Sequence, residues 1–252
     1  MARSSPPAVA AAVLAALLAR APQARAAEVQ VNPVLVELST AAPSAIVALR
    51  NAGAEVARFE VQVRTWSQSE AGEMELASTE DVVAYPLVVE LSPGEQRNLR
   101  VGGATSPGPV EKSYRLFIKE LPAPPRPGAG SEVRVLSRIG LPVFVAPQRV
   151  VERSSVEGLA VSGGKVTFTL RNTGTVRVRP ASVKVTATFD GAATPFEREL
   201  AAWYVLAGGA RRYELDLPRE TCAHVREVGV AVAMDRGPLR AKVATPAGAC
   251  GR

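Results

Sequence analysis

Cys222, His224 and Cys250, all in the second half of the chain, are the residues best suited to catalytic, metal or covalent chemistry. His224 is the single histidine, and a histidine-based triad would need a Ser or Cys nucleophile beside it and an acid behind it. The chain has no G-x-S-x-G elbow, phosphate-binding loop, H-E-x-x-H or dinucleotide motif. A lone histidine is most often structural, so we expect no enzymatic activity, no cofactor and no small-molecule substrate.

The two cysteines are more informative than the histidine. In an oxidising compartment such a pair is expected to form a disulfide, which would tie the last strand to an earlier one. Loop closure would stabilise the fold by about 3 kcal/mol. A free pair and a metal site are the alternatives, but with one His and no other Cys the metal ligands are too few. We predict a Cys222–Cys250 disulfide and no metal.

The N-terminus indicates that the chain is exported. Arg3 precedes an apolar run over 8–18, and a small-x-small site follows at 24–26. This pattern predicts a signal peptide over residues 1–26, cleaved before Ala27. A membrane anchor is the alternative, but the run is short of the ~20 apolar residues that a spanning helix needs.

The charge of the exported chain does not favour nucleic-acid binding. Cleavage of residues 1–26 would remove three arginines and no acidic residue, which lowers the formal charge from +6 to +3, and aromatic residues are 5% of the chain. We therefore expect no nucleic-acid partner.

Two nearly identical pentapeptides, "LRNAG" (49–53) and "LRNTG" (170–174), indicate how the chain is organised. Each lies between two runs of alternating apolar residues, which is typical of a strand, a turn and a second strand. Asn and Gly both tolerate the positive φ that tight turns use. The repetition is either a coincidence of common turn letters or the sign of two related β domains in series. The alternating residues are Ile46 and Ala48, then Phe59, Val61 and Val63; and Val166, Phe168 and Leu170, then Val183, Val185 and Ala187.

Length and composition agree with two all-β domains. The chain has 252 residues, is 47% hydrophobic and contains 20 Gly and 20 Pro, which suits short strands joined by many turns. Short strands at regular spacing predict β-sandwiches. The stretch 143–158 leaves an apolar strand, passes a proline and becomes polar. We place domain one at 27–147 and domain two at 148–252, with a joint short enough to fix the angle between them.

The last strand of domain one is predicted to be unusually long. After a loop of Pro, Arg and Gly, an apolar pattern of about 14 residues runs over 131–144, where a typical strand has five or six. Alternation places two sets of side chains on opposite faces. One set is Val133, Val135, Ile139 and Leu141; the other is Arg134, Leu136 and Arg138.

These stretches together resemble the PapD-like periplasmic chaperones of the chaperone–usher pathway, which assemble pili. No single landmark is specific to the family, but their occurrence in this order behind a signal peptide is. The end of domain one, "SRIGLPVFVAP", looks more like the archaic branch of the family. The landmarks are "VQVNPVLVEL", "ALRNAG", "VQVRTW", "VVELSPGEQRNLRV", "YRLFIKELP" and "PVFVAP".

The resemblance implies two immunoglobulin-like sandwiches in an L-shaped arrangement, without enzymatic activity. Such chaperones bind pilus or fimbrial subunits by donor-strand complementation, in which the chaperone's strand completes the subunit's sheet, and deliver them to an outer-membrane usher. Here the donor strand would use Val133, Val135, Ile139 and Leu141. The alternative is that these side chains fill domain one's own core. The same exposed strand would also allow self-association.

The resemblance further implies two charged sites. One is an interdomain ion cluster of Arg100, Glu111 and Asp235, for which three unrelated surface charges are the alternative. The other is a pair of basic residues that grips the subunit's terminal carboxylate, but Leu35 and Gly140 stand at those places. Arg138, about 6.5–7 Å from Gly140 on the same face, is the candidate substitute.

The sequence therefore predicts a periplasmic pilus-assembly chaperone. A competing class is an exported two-domain immunoglobulin-like structural or adhesive protein. Such a binder would concentrate aromatic residues at its loops, and aromatics are sparse here. A third class, an exported hydrolase, has only His224 in its favour.

Overall fold

The computed structural model describes residues 28–103, 106–123, 135–189 and 194–250. The predicted signal peptide and Val133 lie outside these ranges. The first half of the described chain forms ten strands. They are β1 (Val29–Asn32), β2 (Val36–Leu38), β3 (Ser44–Asn51), β4 (Ala57–Gln68), β5 (Met74–Ser78), β6 (Val83–Tyr85), β7 (Val88–Leu91), β8 (Gln96–Gly102), β9 (Lys112–Leu121) and β10 (Arg138–Val145).

The second half forms seven strands and one helical turn. They are β11 (Ser154–Ser162), β12 (Lys165–Asn172), β13 (Ser182–Phe189), β14 (Phe196–Leu200), β15 (Ala210–Asp216), α1 (Arg219–Cys222), β16 (Val225–Ala233) and β17 (Leu239–Ala244). Within the described ranges, no helix is long and apolar enough to cross a membrane.

The strands make two sandwiches, each with its own core. In the first, the sheet β1-β3-β8-β6 packs on the sheet β2-β10-β9-β4-β5, to which β7 adds through β4. In the second, β11-β12-β15 packs on β14-β13-β16-β17. The predicted all-β class with two sandwiches is confirmed. The predicted boundary at 147–148 falls between β10 and β11, in a segment that belongs to neither pair of sheets.

One predicted alternation has the wrong phase. Ile46 is 46% exposed, whereas its neighbours Val47 and Leu49 are fully buried in the first core. A strand with apolar residues in both rows does not reveal from its letters alone which row faces inward. The other three runs are buried as predicted, as Phe59, Phe168 and Val185 show.

The repeated pentapeptides occupy the same place in both sandwiches. Each lies at the end of a strand, β3 or β12, whose successor runs in the opposite sheet. Nδ2 of Asn51 donates to the carbonyl oxygens of Glu55 (2.7 Å) and Leu91 (3.0 Å), and its Oδ1 accepts from the N–H of Gly53 (2.9 Å). The asparagine is fully buried. It acts as a side-chain clip that satisfies backbone groups where the chain crosses between sheets.

Asn172 repeats this clip in the second sandwich. Its Nδ2 contacts the carbonyl oxygens of Val176 (2.8 Å), Val205 (3.0 Å) and Leu206 (3.0 Å), and its Oδ1 accepts from the N–H of Gly174 (2.9 Å). The repeated letters therefore encode the same buried hydrogen-bond pattern twice.

The glycine of the second motif is needed for space, and neither motif uses the positive φ that was predicted. Neither Gly53 nor Gly174 is among the described glycines with positive φ. A Cβ on Gly174 would lie 2.4 Å from the carbonyl oxygen of Val151 and 2.8 Å from the nitrogen of Arg153. Glycine is therefore required because two backbone segments approach each other closely.

The disulfide joins α1 to the turn that follows β17. Cys222 and Cys250 are bonded, with their Cα atoms 5.7 Å apart. The N–H of Gly164, in the β11–β12 turn, donates to the carbonyl oxygen of Ala249 (2.8 Å). The crosslink thus fastens the C-terminal turn to one end of the second sandwich and does not connect two strands directly.

We expect the asparagine clip to contribute strongly to stability. Asn172→Ala should lower the free energy of unfolding by roughly 2–4 kcal/mol, because buried carbonyl groups lose their donor. Asn98→Ala, at an exposed position of β8, is the matched control and should change it by less than about 0.5 kcal/mol. Urea unfolding measures both. A loss below about 1 kcal/mol for Asn172→Ala would contradict the role assigned to the clip.

Removing the crosslink should destabilise the second sandwich. For a sequence separation of 28 residues, the Cys222→Ala/Cys250→Ala variant should lose about 3.5 kcal/mol through the greater entropy of its unfolded chain. Hydrogen exchange should quicken in β15 and β16 while β3 and β8 keep their protection. Equal quickening in both sandwiches would show that the crosslink does not act locally.

Candidate functional site

Strand β10 has an unpaired edge along part of its length. One side pairs with β9 from Arg138 to Val145. The other side pairs with β2 only through Val143–Val145. In the described part of the chain, no strand pairs with that side of Arg138–Pro142. Pro142 has no N–H to donate, which suits an edge strand. Unpaired backbone donors and acceptors of this kind are a template for another strand.

The side chains of β10 divide between the core and the outer face of the sheet. Leu141, Val143 and Val145 are buried in the first core, and Ile139 packs against its margin. Leu141 was predicted to be offered to a partner, and this is wrong: it is 4% exposed because it fills the chain's own sandwich. The inward-facing side chains of β10 are therefore in the core from Leu141 onward, and Ile139 lies at the edge of the core.

The strand begins later than predicted. β10 begins at Arg138, and residues 135–137 form no strand. The N–H of Ser137 donates to Oε2 of Glu120 (3.0 Å), and the N–H of Glu120 donates to the carbonyl oxygen of Ser137 (2.8 Å). Because Glu120 is buried, this pair fixes the start of β10. Beyond it Val135 is 56% exposed.

Arg138 lies on the outer face of the sheet, on the same side as Gly140 as the alternation predicted, because both positions adjoin the Phe117 ring. Its guanidinium carbon is 4.2 Å from the centre of the Phe117 ring. It lines a shallow depression of about 210 Å³ together with Glu60, Gln62, Phe117 and Lys119. The guanidinium is therefore stacked on an aromatic ring beside the unpaired edge of β10.

Leu35 and Gly140 serve packing. Leu35 packs against an aromatic cluster between the two sandwiches. A Cβ on Gly140 would lie 3.1 Å from Cε1 of Phe117 and 3.5 Å from Nη2 of Arg115. A side chain at position 140 would therefore press on the Phe117 ring and approach the Arg115 guanidinium.

Arg115 is a second arginine on this face, and sequence reasoning missed it. It lies on β9 opposite Pro142 and is only 9% exposed. Its guanidinium carbon is 5.0 Å from the centre of the Trp66 ring. Burial lowers the pKa of the Arg115 guanidinium, and the electrostatic interaction with Tyr204 opposes that change.

An aromatic cluster joins the two sandwiches. The rings of Trp66, Phe144 and Tyr204 form a triangle with centroid distances of 5.7–5.9 Å. Gln68 reinforces it: Nε2 donates to the carbonyl oxygen of Tyr204 (2.8 Å), and Oε1 accepts from the N–H of Leu206 (3.0 Å). Buried aromatic contact and backbone hydrogen bonds thus fix the same point of the interface.

The predicted ion cluster is wrong in two of its three members. Arg100 is exposed on β8, in the opposite sheet, and Asp235 lies in the turn after β16. Neither forms an ion pair with a described residue. Their positions came from matching landmark letters, which do not specify the sheet on which a charge lies.

Glu111 does take part in an interdomain ion cluster, with Arg177 and Glu37. The Arg177 guanidinium pairs with both carboxylates, and its backbone N–H donates to Oε1 of Glu111 (3.0 Å). The same guanidinium lies 3.8 Å from the centre of the Phe144 ring. Burial raises the pKa of Glu111, while the charge of Arg177 opposes the rise. One arginine of the second sandwich thus binds two carboxylates of the first.

Residues 28–151 match the family model of the pili and flagellar-assembly chaperone, PapD N-terminal domain. The chain therefore carries the N-terminal domain of this family of assembly chaperones. Membership in a PapD-like chaperone family agrees with the predicted non-enzymatic function. No curated protein matches the sequence.

Solved structures share the fold of this PapD-like chaperone across both sandwiches. One is a chain of the CsuC-CsuE chaperone-tip adhesion subunit pre-assembly complex from archaic Csu pili of Acinetobacter baumannii, with a TM-score of 0.59 and 18% identity, covering 87% of this chain and 100% of that chain. Another is a chain of the Salmonella enterica SafA pilin–SafB chaperone complex, with a TM-score of 0.53 and 18% identity, covering 86% and 96%. The E. coli chaperone DraB has a TM-score of 0.53 and 17% identity, covering 86% and 99%.

The raised pKa of Glu111 in this PapD-like chaperone predicts the sign of a pH dependence. A carboxyl whose pKa is raised by folding contributes stability that is present below its unfolded value and lost as pH rises through its folded value. Relative to Glu111→Gln, the native chain should therefore gain free energy of unfolding as pH falls from 7 toward 4. Urea unfolding of both chains across this range measures the difference.

Glu214→Gln is the matched control with the opposite sign. A hydrogen bond from Lys165 lowers the pKa of Glu214, so the native chain should lose its advantage over this variant as pH falls. If both differences moved in the same direction, the burial effect assigned to Glu111 would be wrong.

Proposed function

We propose that this PapD-like chaperone works in the periplasm after cleavage of residues 1–26. There it would bind pilus or fimbrial subunits by donor-strand complementation and deliver them to an outer-membrane usher. The family match supports the chaperone function. Two of the similar structures are described as chaperones in complex with a tip adhesion subunit and with a pilin. The archaic branch is proposed from the sequence ending and from the likeness to the Csu complex.

The unpaired edge of β10 is the observation that carries this proposal. Between Arg138 and Pro142 one side of the strand is held by β9 and the other has no partner strand among the described residues. A subunit strand placed there would extend the sheet through main-chain hydrogen bonds. The covered stretch, Val143–Val145, would anchor the donor strand in its own sandwich.

Alternate apolar side chains would supply the remaining affinity. Ile139 lies at the margin of the core and Val135 is exposed beyond it. Continued into an extended strand, Val133 and Val135 would follow the same row into a groove of the subunit. Each such side chain would contribute roughly 1.5–3 kcal/mol when buried. Arg138, on the opposite row, would face the bound polypeptide from the outer face of the sheet.

Co-expression with small exported β-rich proteins encoded nearby, followed by affinity purification from the periplasm, tests the proposal. The native chain should be recovered with one such protein. Val133→Asp/Val135→Asp should reduce recovery at least about tenfold, since burying a charge in an apolar groove is costly. Val150→Asp, at a 60% exposed position, is the matched control and should leave recovery unchanged.

Circular dichroism of each variant separates binding from folding. If Val133→Asp/Val135→Asp unfolds the chain, these side chains belong to its own core and the donor row is wrong. Full recovery with a folded double variant would contradict donor-strand binding at this edge. Recovery of a second copy of the chaperone alone would assign the edge to self-association.

A further inference from the structure

The two copies of the repeated motif differ at the residue that follows the glycine. The first copy continues with Ala54 and the second with Thr175. Thr175 is partly buried, and each of its polar groups forms a hydrogen bond. The second copy therefore carries a hydroxyl group that binds backbone, where the first copy has only a methyl group.

The turn of each motif holds the segment that leads into the first strand of its sandwich. The N–H of Ala52 donates to the carbonyl oxygen of Glu28 (2.7 Å), and the N–H of Thr173 donates to the carbonyl oxygen of Arg153 (2.9 Å). Glu28 directly precedes β1, and Arg153 directly precedes β11. In the second sandwich this segment is also the connection between the two sandwiches, so the motif there is part of the joint.

Thr175 holds the connecting segment at two residues. Its Oγ1 donates to the carbonyl oxygen of Arg149 (2.6 Å) and accepts from the N–H of Val151 (2.8 Å). Its own N–H donates to the carbonyl oxygen of Val151 (2.7 Å). One residue earlier, the N–H of Gln148 donates to the carbonyl oxygen of Gly108 in the first sandwich (3.0 Å). The connection is therefore bound to the first sandwich at Gln148 and to the second from Arg149 onward.

The carbonyl group of Thr175 binds the first sandwich directly. Its oxygen accepts from the N–H of Glu111 (2.8 Å), the residue that directly precedes β9. Strand β9 pairs with β10 from Arg138 to Val145. One residue of the second sandwich thus binds both the connection and the sheet that contains the unpaired edge.

The same motif supports a second contact between the sandwiches. Asn172 donates to the carbonyl oxygens of Val205 and Leu206 (both 3.0 Å), and the N–H of Leu206 donates to Oε1 of Gln68 in the first sandwich (3.0 Å). The motif therefore fixes the segment that Gln68 binds. Gln68 is the competing candidate for the residue that sets the angle between the sandwiches.

We propose that Thr175 is the positioning residue that sets this angle, and with it the space beside the unpaired edge of β10. Phe144 lies two residues beyond Pro142, where that edge ends, and its ring packs on that of Tyr204 in the second sandwich (5.7 Å between centroids). A change of angle would therefore move the second sandwich relative to the edge. That a subunit uses this space rests on the proposed function, whereas the role of Thr175 in the joint does not.

Residual dipolar couplings of backbone N–H groups in the full chain measure the relative orientation of the sandwiches. Thr175→Val replaces the hydroxyl group with a methyl group of similar size, so the orientation should shift. The N–H of Val151 should exchange with solvent about tenfold faster, because it loses its acceptor. Thr175→Ser keeps the hydroxyl group and should preserve both native values. Thr173→Val, at an exposed position of the same turn, is the matched control.

Three results would overturn the role assigned to Thr175. The first is a folded Thr175→Val chain whose orientation differs from the native one no more than that of Thr173→Val. The second is an equal shift in Thr175→Ser, which would assign the effect to packing and not to the hydroxyl group. The third is a shift in Gln68→Ala without one in Thr175→Val, which would place control of the angle at Gln68.

Subunit recovery from the periplasm connects the angle to binding. Thr175→Val should recover about threefold less subunit than Thr173→Val, or less still. A shifted orientation with unchanged recovery would overturn the role of the angle in binding. If the native chain recovers no subunit, the proposed function is wrong, while the orientation measurement still decides the role of Thr175 in the joint.

Discussion

The structure depends on the unequal pairing of β10. One side of the strand is satisfied by β9 throughout, whereas β2 covers the other side only at Val143–Val145. An uncovered edge normally invites aggregation, and proteins shorten or charge such edges. Here the uncovered stretch spans only Arg138–Pro142 and includes one charged residue and a proline. These features limit the length of strand that is free to pair with another chain, but they leave Arg138–Pro142 unpaired on that side.

The same strand also determines how the two sandwiches meet. Phe144, at the covered end of β10, packs in the aromatic cluster and lies under the Arg177 guanidinium. Arg177 in turn binds Glu111, which directly precedes β9. The ion cluster and the aromatic cluster therefore hold the two strands that form the candidate site. Buried ion pairs add little net stability but restrict geometry, so the cluster serves mainly to fix orientation.

The sequence was sufficient for the fold class, because period-2 alternation and repeated turns are local signals. The equivalence of Asn51 and Asn172 was visible as a repeat, although the reason for Gly174 is its close approach to the backbone of Val151 and Arg153, which the repeat does not contain. The partners of Glu111 in the ion cluster could not be predicted from the sequence for the same reason. Arg177 lies 66 residues from Glu111 and 140 from Glu37, and no local pattern distinguishes it from other arginines in its segment.

Arg115 shows how a buried charge can be hidden by its own strand pattern. In "YRLFIKELP" it occupies the polar row of an alternating strand, where a solvated arginine is the ordinary expectation. It is buried because the aromatic cluster covers this end of the sheet, and it remains unpaired because no described acid reaches it. Leu35 strengthens that cover through its apolar contacts. A buried guanidinium interacts more strongly with an anion than an exposed one, because less water screens the charge.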